Sequence, residues 1–172
     1  MKRRMNRLLP ADDRLFIVAM DHTGFLDAPI PALAAYGDAC ATAVANGADA
    51  FLSPLGSAAM YADQIGHAAL IASVPTSQPY ADYVVERALA VGADAIKTMV
   101  YPFGDDNSVS ENGAIGVQAA RYGLPFIAET IPGGFGRRDL HTPEKIAAGA
   151  RIGVELGADM IKTIYTGAPE SH

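Results

Sequence analysis

A three-residue phrase, Gly-Ala-Asp, occurs three times in this chain, at Gly47-Ala48-Asp49, Gly92-Ala93-Asp94 and Gly157-Ala158-Asp159. Each copy follows a helical stretch and precedes a short apolar run. Glycine is the residue that most readily takes the left-handed conformation closing a helix. A short run of apolar, partly β-branched residues bounded by turns reads as a buried strand. The repeated unit is therefore helix, tight turn, strand. Alternation of that kind implies parallel strands joined by right-handed crossovers, and it excludes all-helical and all-strand folds.

The remaining elements fit the same rhythm. Apolar runs at 14–20, 50–53, 70–74, 95–100, 123–130 and 160–164 predict six strands. Alanine-rich stretches at 31–46 and 80–91 predict helices ending at Gly47 and Gly92. A third helix is expected over 108–122, with Ser108 and Glu111 spaced as a capping box. A fourth is expected over 143–156, capped by Thr142 and with Pro143 at its first position.

A doubly wound sheet and a (β/α)8 barrel both satisfy this pattern. Polar residues recur just past strand C-termini: Asp21-His22, Ser53, Lys97, Glu129 and Lys162. Barrel active sites gather at that face, so the expectation is an α/β fold of the (β/α)8 TIM-barrel type with about six βα units, forming a single domain over 1–172. Six units are fewer than an eight-stranded barrel needs. The reading therefore treats the barrel as incomplete, with the outermost strands presenting edges that favour association.

Composition removes other classes. Half of the 172 residues are hydrophobic, 19% are charged, and the net charge is −6. A general nucleic-acid binder needs a cationic surface, which this chain lacks. Cys40 is the single cysteine, so neither an intrachain disulfide nor a cysteine zinc cluster is available. The basic start, residues 2–7, has no apolar segment after it of signal-peptide length, and no stretch reaches the ~20 residues of a membrane span. These features point to a cytoplasmic protein without membrane or nucleic-acid partners.

Lys162, in Gly157-Ala158-Asp159-Met160-Ile161-Lys162-Thr163-Ile164-Tyr165-Thr166-Gly167, is the leading candidate for chemistry. A lysine at the end of a buried strand is costly to keep charged, and a neutral amine condenses with a carbonyl to form a Schiff base. Lys97 occupies the equivalent place in Gly92-Ala93-Asp94-Ala95-Ile96-Lys97-Thr98. Strand alternation puts Met160 and Ile164 on the side of Lys162, Met99 and Tyr101 on the side of Lys97, Ile127 and Ile131 on that of Glu129, and Ala19 and Ile17 on that of Asp21. Two lysines, a glutamate and an aspartate then form a site in which one amine attacks, the other lowers its pKa by repulsion, and a carboxylate or phenol moves protons.

Each residue also has a plainer reading. Lys162 can be a structural lysine paired with Glu129 or Asp21. Lys97 can be structural or electrostatic rather than chemical, and Asp21-His22 a loop-starting turn. Ile131-Pro132-Gly133-Gly134-Phe135-Gly136-Arg137-Arg138 reads equally as a phosphate-binding loop or a flexible one. Asp105-Asp106-Asn107 lacks the rest of a calcium loop and reads as a solvated turn. His22, His67, His141 and His172 show no metal-ligand spacing, so no metal or other cofactor is expected.

Ala19-Met20-Asp21-His22, Gly92-Ala93-Asp94-Ala95 and above all the segment 157–167 resemble the class I aldolases of the archaeal-type fructose-bisphosphate aldolase group. That group sits in a wider family with deoxyribose-phosphate aldolase and tagatose-bisphosphate aldolase. The resemblance covers nearly the whole chain in order. It implies a (β/α)8 barrel, Schiff-base catalysis at Lys162, Asp21 as an active-site polar group, a phosphorylated sugar as substrate, and a homo-oligomer. His22, Ser53, Tyr101 and Tyr165 are the residues expected to contact that substrate. Three departures stand out. Where the family's fifth strand often ends in Tyr-Pro-Arg-Gly, with the tyrosine transferring protons, this chain has Ile131-Pro132-Gly133-Gly134, so the task would fall to Glu129 or Tyr101. Lys97 and Glu129 resemble the tagatose-bisphosphate and sulfosugar-phosphate aldolase branch. The family's last two strands, whose glycine-rich loops bind the substrate phosphate, have no counterpart in this sequence.

The expected function is a metal-independent class I aldolase making or breaking a carbon–carbon bond in a phosphorylated ketose. The alternatives are a Schiff-base acyl or ketol transferase on a phosphorylated ketone, and a non-catalytic degenerate barrel.

Overall fold

A computed structural model of the chain describes residues 2–9, 14–76 and 83–167. Its strands are β1 (Ile17–Ala19), β2 (Ala50–Pro54), β3 (Ala69–Ser73), β4 (Ala95–Val100), β5 (Phe126–Thr130) and β6 (Met160–Thr163). They form one sheet in the order β1-β2-β3-β4-β5-β6. A doubly wound sheet reverses direction part-way; an order that follows the chain is that of a barrel. The pairings of β1 with β2, β2 with β3 and β5 with β6 are parallel, in the registers Ile17–Ala50, Ala50–Ala69 and Ile127–Met160.

The chain groups into two compact units. One comprises residues 1–74 and 86–96, the other 75–85 and 97–172. The first holds β1–β3 and the helices α1 (Lys2–Leu8), α2 (Tyr36–Ala45), α3 (Leu55–Met60) and α4 (Ala62–Ile65). Its core is built on Leu8, Cys40, Phe51, Leu52, Ile65 and Ile71. The second holds most of β4, then β5, β6, α6 (Asp106–Tyr122) and α7 (Pro143–Glu155). Its core is Val100, Ile115, Leu124, Phe126, Ala128 and Ile146. Helix α5 (Val84–Ala90) precedes β4 in the chain.

Local chemistry explains most boundaries. Thr142 caps α7, its Oγ1 accepting from the Lys145 N–H, with proline in the first turn. Two expectations are corrected. No capping box forms at Ser108 and Glu111. Helix α6 begins at Asp106, and Asp105 is its cap, accepting from the Asn107 N–H at 3.0 Å. A carboxylate beside the helix N-terminus is favoured by the helix dipole, and Ser108 is buried and otherwise engaged. The stretch 31–46 is not one helix either. A 3-10 turn over Pro31–Leu33 precedes α2, with Ala35 non-helical between them. Tyr36 is buried with its hydroxyl 2.7 Å from Ser53 Oγ, so packing overrides alanine's propensity and sets where α2 starts. Residues 80–82 of the helix expected over 80–91 lie outside the described residues. Helices α1, α3 and α4 carry too short a periodic signal to be expected.

The Gly-Ala-Asp repeat has a definite structural role. Its glycines adopt φ +86°, +79° and +90°. In each copy the alanine N–H reaches back to a helix carbonyl, that of Ala43, Ala88 or Gly153, closing the helix. The aspartate then grips the preceding strand of its unit by both backbone and side chain. Asp49, Asp94 and Asp159 donate their N–H groups to the carbonyls of Phe16, Leu70 and Phe126. Their Oδ2 atoms accept the N–H groups of the same three residues at 2.7, 3.1 and 2.9 Å. A two-way clamp of this kind fixes the parallel register where each strand begins. Arg7 of α1 adds an ion pair with Asp94 at 3.1 Å.

Two outcomes follow. Asp94→Ala orphans the buried Leu70 N–H and should lower unfolding free energy by about 1–3 kcal/mol. Asp49→Ala should cost less, because its partner Phe16 is exposed; urea melts of both variants check this. Tyr36 has its pKa raised above 10.0, chiefly by burial. The unfolded state therefore loses that proton first as pH rises, so the contribution is intact at pH 7 and falls above pH 10. Tyr36→Phe should cost about 0.5–1.5 kcal/mol at neutral pH through the lost hydrogen bond. The gap to the parent protein should narrow in melts above pH 10.

Candidate active site

The second unit gathers two lysines on one carboxylate. Glu129 of β5 and Lys162 of β6 are register partners, so their side chains emerge from the same side of adjacent strands. Lys162 Nζ donates to Glu129 Oε1, and Lys97 Nζ lies 2.8 Å from Oε2. Both carboxylate oxygens are thus held by amines. The side chains of Lys97, Glu129 and Lys162 are 1%, 9% and 41% exposed. A lysine as buried as Lys97 requires an anionic partner, because an unpaired buried charge is strongly destabilising. Lys97 Nζ also reaches Met99 Sδ at 3.4 Å, as expected for residues two apart on one side of a strand. The expected shelter of Lys162 is only partial: Glu129, rather than burial, holds the amine.

Helix α6 fastens the end of β4 through polar groups. Thr98 Oγ1 bonds to Asn112 Oδ1. Asn112 Nδ2 donates to the carbonyls of Met99 and Ser108 at 2.8 and 2.6 Å. The Tyr101 N–H donates to Ser108 Oγ at 2.8 Å, and Ser108 Oγ donates to the Asp105 carbonyl at 3.0 Å. The backbone carrying Lys97 is anchored on both sides of Met99. Asn112 was not expected from the sequence. The signal was there in its spacing, since Ser108, Asn112, Ile115 and Ala119 form the buried stripe of α6.

Tyr101 follows β4 and is half-buried. Burial and then the Glu129 carboxylate push its phenol pKa up, and Lys97 draws it part of the way back. Tyr165, beyond β6, is 68% exposed. The glycine-rich segment is a packed turn. Its Gly133 and Gly134 N–H groups donate to the carbonyls of Pro102 and Ile131. Arg137 is paired through two nitrogens with Asp139. Those groups are therefore committed within the protein rather than presented to a phosphate.

In the first unit, Asp21 is 4% exposed and accepts from Ser73 Oγ at 2.8 Å. His22 is exposed and rests against the Phe25 ring. Ser53 is fully buried, bonded to Tyr36 and the Pro54 carbonyl. Its hydroxyl thus serves packing in this structure. Among the described residues, no group of three or more histidine, cysteine, aspartate or glutamate side chains gathers as metal ligands do. No helix among them is long and apolar enough to cross a membrane.

Lys97, Glu129 and Lys162 lie within β4, β5 and β6 rather than just past their ends, as does Ser53 in β2. Strands ordered as in the chain and joined by helices define the (β/α)8-barrel class. Within that class, residues 15–171 match the pattern of the DeoC/LacD family aldolases. The chain belongs to that family. It is similar to the 2-amino-3,7-dideoxy-D-threo-hept-6-ulosonate synthase of Halobacterium salinarum, with 32% identity across 98% of this chain. It spans 66% of the length of that relative. A solved Schiff base-forming fructose-1,6-bisphosphate aldolase superposes with a TM-score of 0.79 at 27% identity, covering 98% of this chain and 72% of that one. An archaeal fructose-1,6-bisphosphate aldolase whose catalytic lysine is covalently bound as the carbinolamine superposes equally well, with a TM-score of 0.79, 26% identity and the same coverage.

Glu129→Gln takes a carboxylate away from the buried Lys97 ammonium and should cost up to about 3–5 kcal/mol. Adding Lys97→Met to that variant should recover much of the loss, since replacing both partners removes the uncompensated charge. Denaturant melts of the single and double variants test the coupling.

Proposed function

We propose that this protein is a class I aldolase, forming and breaking a carbon–carbon bond in a phosphorylated ketose through a Schiff base on Lys162, without a metal. The observation that carries the reading is the shared carboxylate: Glu129 holds Lys162 and Lys97 with one oxygen each. The two lysines differ in reach. Lys97 is 1% exposed and closed to a sugar carbonyl, whereas Lys162 is 41% exposed and open to one. Lys162 is therefore the nucleophile, and Lys97 the fixed positive charge beside it.

The steps use groups already in contact. Glu129 takes a proton from Lys162, and the free amine adds to the ketone carbon. Glu129 returns the proton to the carbinolamine hydroxyl, which leaves as water and gives the iminium. The iminium draws in the electrons of the adjacent carbon–carbon bond. That bond breaks, the neighbouring hydroxyl gives its proton to Glu129, and an aldehyde departs from an enamine. Asp21 and His22 enter through their resemblance to the family motif. Tyr101 and Tyr165 are the further residues proposed to line the substrate path. A cytoplasmic homo-oligomer, built from one aldolase-type domain over residues 1–172, completes the reading. The hept-6-ulosonate synthase relative supports a second version, in which the same imine serves transfer to a different acceptor.

Borohydride trapping tests the proposal. With dihydroxyacetone phosphate and candidate ketose phosphates, intact mass should show a reduced adduct on Lys162. The adduct should vanish in Lys162→Met, and EDTA should leave turnover unchanged. Loss of trapping in Lys97→Met with Lys162 still present would move the nucleophile to Lys97. Absence of any adduct with every phosphosugar would leave a non-catalytic barrel.

A further inference from the structure

Within that Schiff-base reading, one proton transfer is left to be decided between Glu129 and Tyr101. When the aldehyde departs, the enamine carbon must gain a proton before the second product can leave. Glu129 is poorly disposed for this. Both of its oxygens face lysine nitrogens, so its natural traffic is with the nitrogen and oxygen of the carbinolamine. A second acid is needed, and it must belong to the same strand ends.

Tyr101 meets the geometric requirement. Residues 97, 99 and 101 alternate onto one side of β4 and its continuation, and the Lys97–Met99 contact identifies that side. The residue is held unusually firmly. Its N–H is bonded to Ser108 Oγ, and its carbonyl accepts the N–H groups of Gly104 and Asp105. The turn that follows contains Phe103, the one non-glycine residue with positive φ among the described residues, at +66°. A phenylalanine there is strained, and such strain concentrates where a structure fixes a functional group. Lys145 of α7 sits 4.4 Å over the Phe103 ring centroid and helps to hold the strained turn.

The neighbouring turn completes the mount. Gly133 donates its N–H to the Pro102 carbonyl at 2.7 Å. A Cβ on Gly104 would lie 2.7 Å from the Gly133 Cα, so the two backbones touch and only glycine fits. Gly134, with φ +79°, passes beside the Tyr101 ring: a Cβ there would lie 3.6 Å from Tyr101 Cδ1. Two loops are thus locked together around one phenol. Tyr165, the other phenol past a strand end in this unit, has no comparable burial.

We propose that the Tyr101 hydroxyl is the acid that protonates the enamine carbon during cleavage, and its conjugate base the group that removes that proton during synthesis. In the cleavage direction the phenol O–H bond breaks and a C–H bond forms. The enamine π electrons make that bond, and the nitrogen lone pair restores the iminium on Lys162. The positive charge of Lys97 favours the phenolate. The phenolate regains its proton from Glu129, which took one from the substrate hydroxyl when the carbon–carbon bond broke. No outside oxidant or reductant is needed. The raised phenol pKa keeps this donor protonated at neutral pH.

The experiment separates this proposal from the reading beneath it. Wild-type protein and Tyr101→Phe are incubated with dihydroxyacetone phosphate in deuterated water. One portion is reduced with borohydride, and the other is followed by NMR for loss of carbon-bound hydrogen. The expected result is a trapped adduct on Lys162 in both proteins, with exchange per adduct formed slowed by about 10²–10⁴-fold in Tyr101→Phe. Exchange at the wild-type rate in the variant overturns the Tyr101 role while leaving the Schiff base intact. Failure of trapping in the wild type overturns the Schiff-base reading itself. Should Tyr101→Phe fail to fold, replacement of Tyr101 by fluorotyrosine keeps the hydroxyl and lowers its pKa. The alkaline limb of the exchange rate should then move to lower pH, and an unmoved limb overturns the proposal.

Discussion

One carboxylate ties three strands of the second unit together. Glu129 presents an oxygen to each of two amines that would otherwise repel each other, and one of them is fully buried. The ammonium of Lys97 is tolerable in the core because this anion is there. The same anion holds Lys162 at the edge of solvent. Remove it, and the interior charge loses a counter-ion while the open amine loses its hold. Structural and chemical duties therefore cannot be separated at this residue by substitution alone. That is why the paired change at Lys97 is informative.

A different interaction maintains the frame. At the start of β2, β4 and β6 an aspartate clamps the neighbouring strand with its N–H and its carboxylate. The aspartates of the clamp stand just before their strands, whereas Lys97, Glu129 and Lys162 lie further along them. Barrel folds keep stability at the first of these faces and active sites at the other.

Much of this was legible in the amino-acid sequence, for identifiable reasons. The strands showed because buried parallel strands are nearly continuous apolar runs, and β4 matched residue for residue. Lys97, Glu129 and Lys162 showed because a charged residue in such a run is costly and rarely accidental. Other features stayed hidden. The repeated aspartate read as punctuation, since nothing local reveals that its carboxylate reaches a residue 24 to 33 positions away. Ser108 read as a cap because its spacing to Glu111 was right; Asp105 outcompeted it three residues earlier. Asn112 was passed over, despite its place on the buried stripe of α6, because polarity in a helix is read as solvent-facing. The glycine-rich turn read equally as a phosphate loop or a flexible one because sequence cannot show which N–H groups are already committed.

The Gly-Ala-Asp clamp also bears on how such a chain can arise. Every copy carries its own fastener: a glycine to end the helix and an acid to set the next strand against a neighbour. Correct alignment is therefore written into each step instead of being imposed by the finished assembly. A gene segment encoding one step could be copied in tandem and still bring its strand into line, leaving the opposite rim free to acquire new reactive groups.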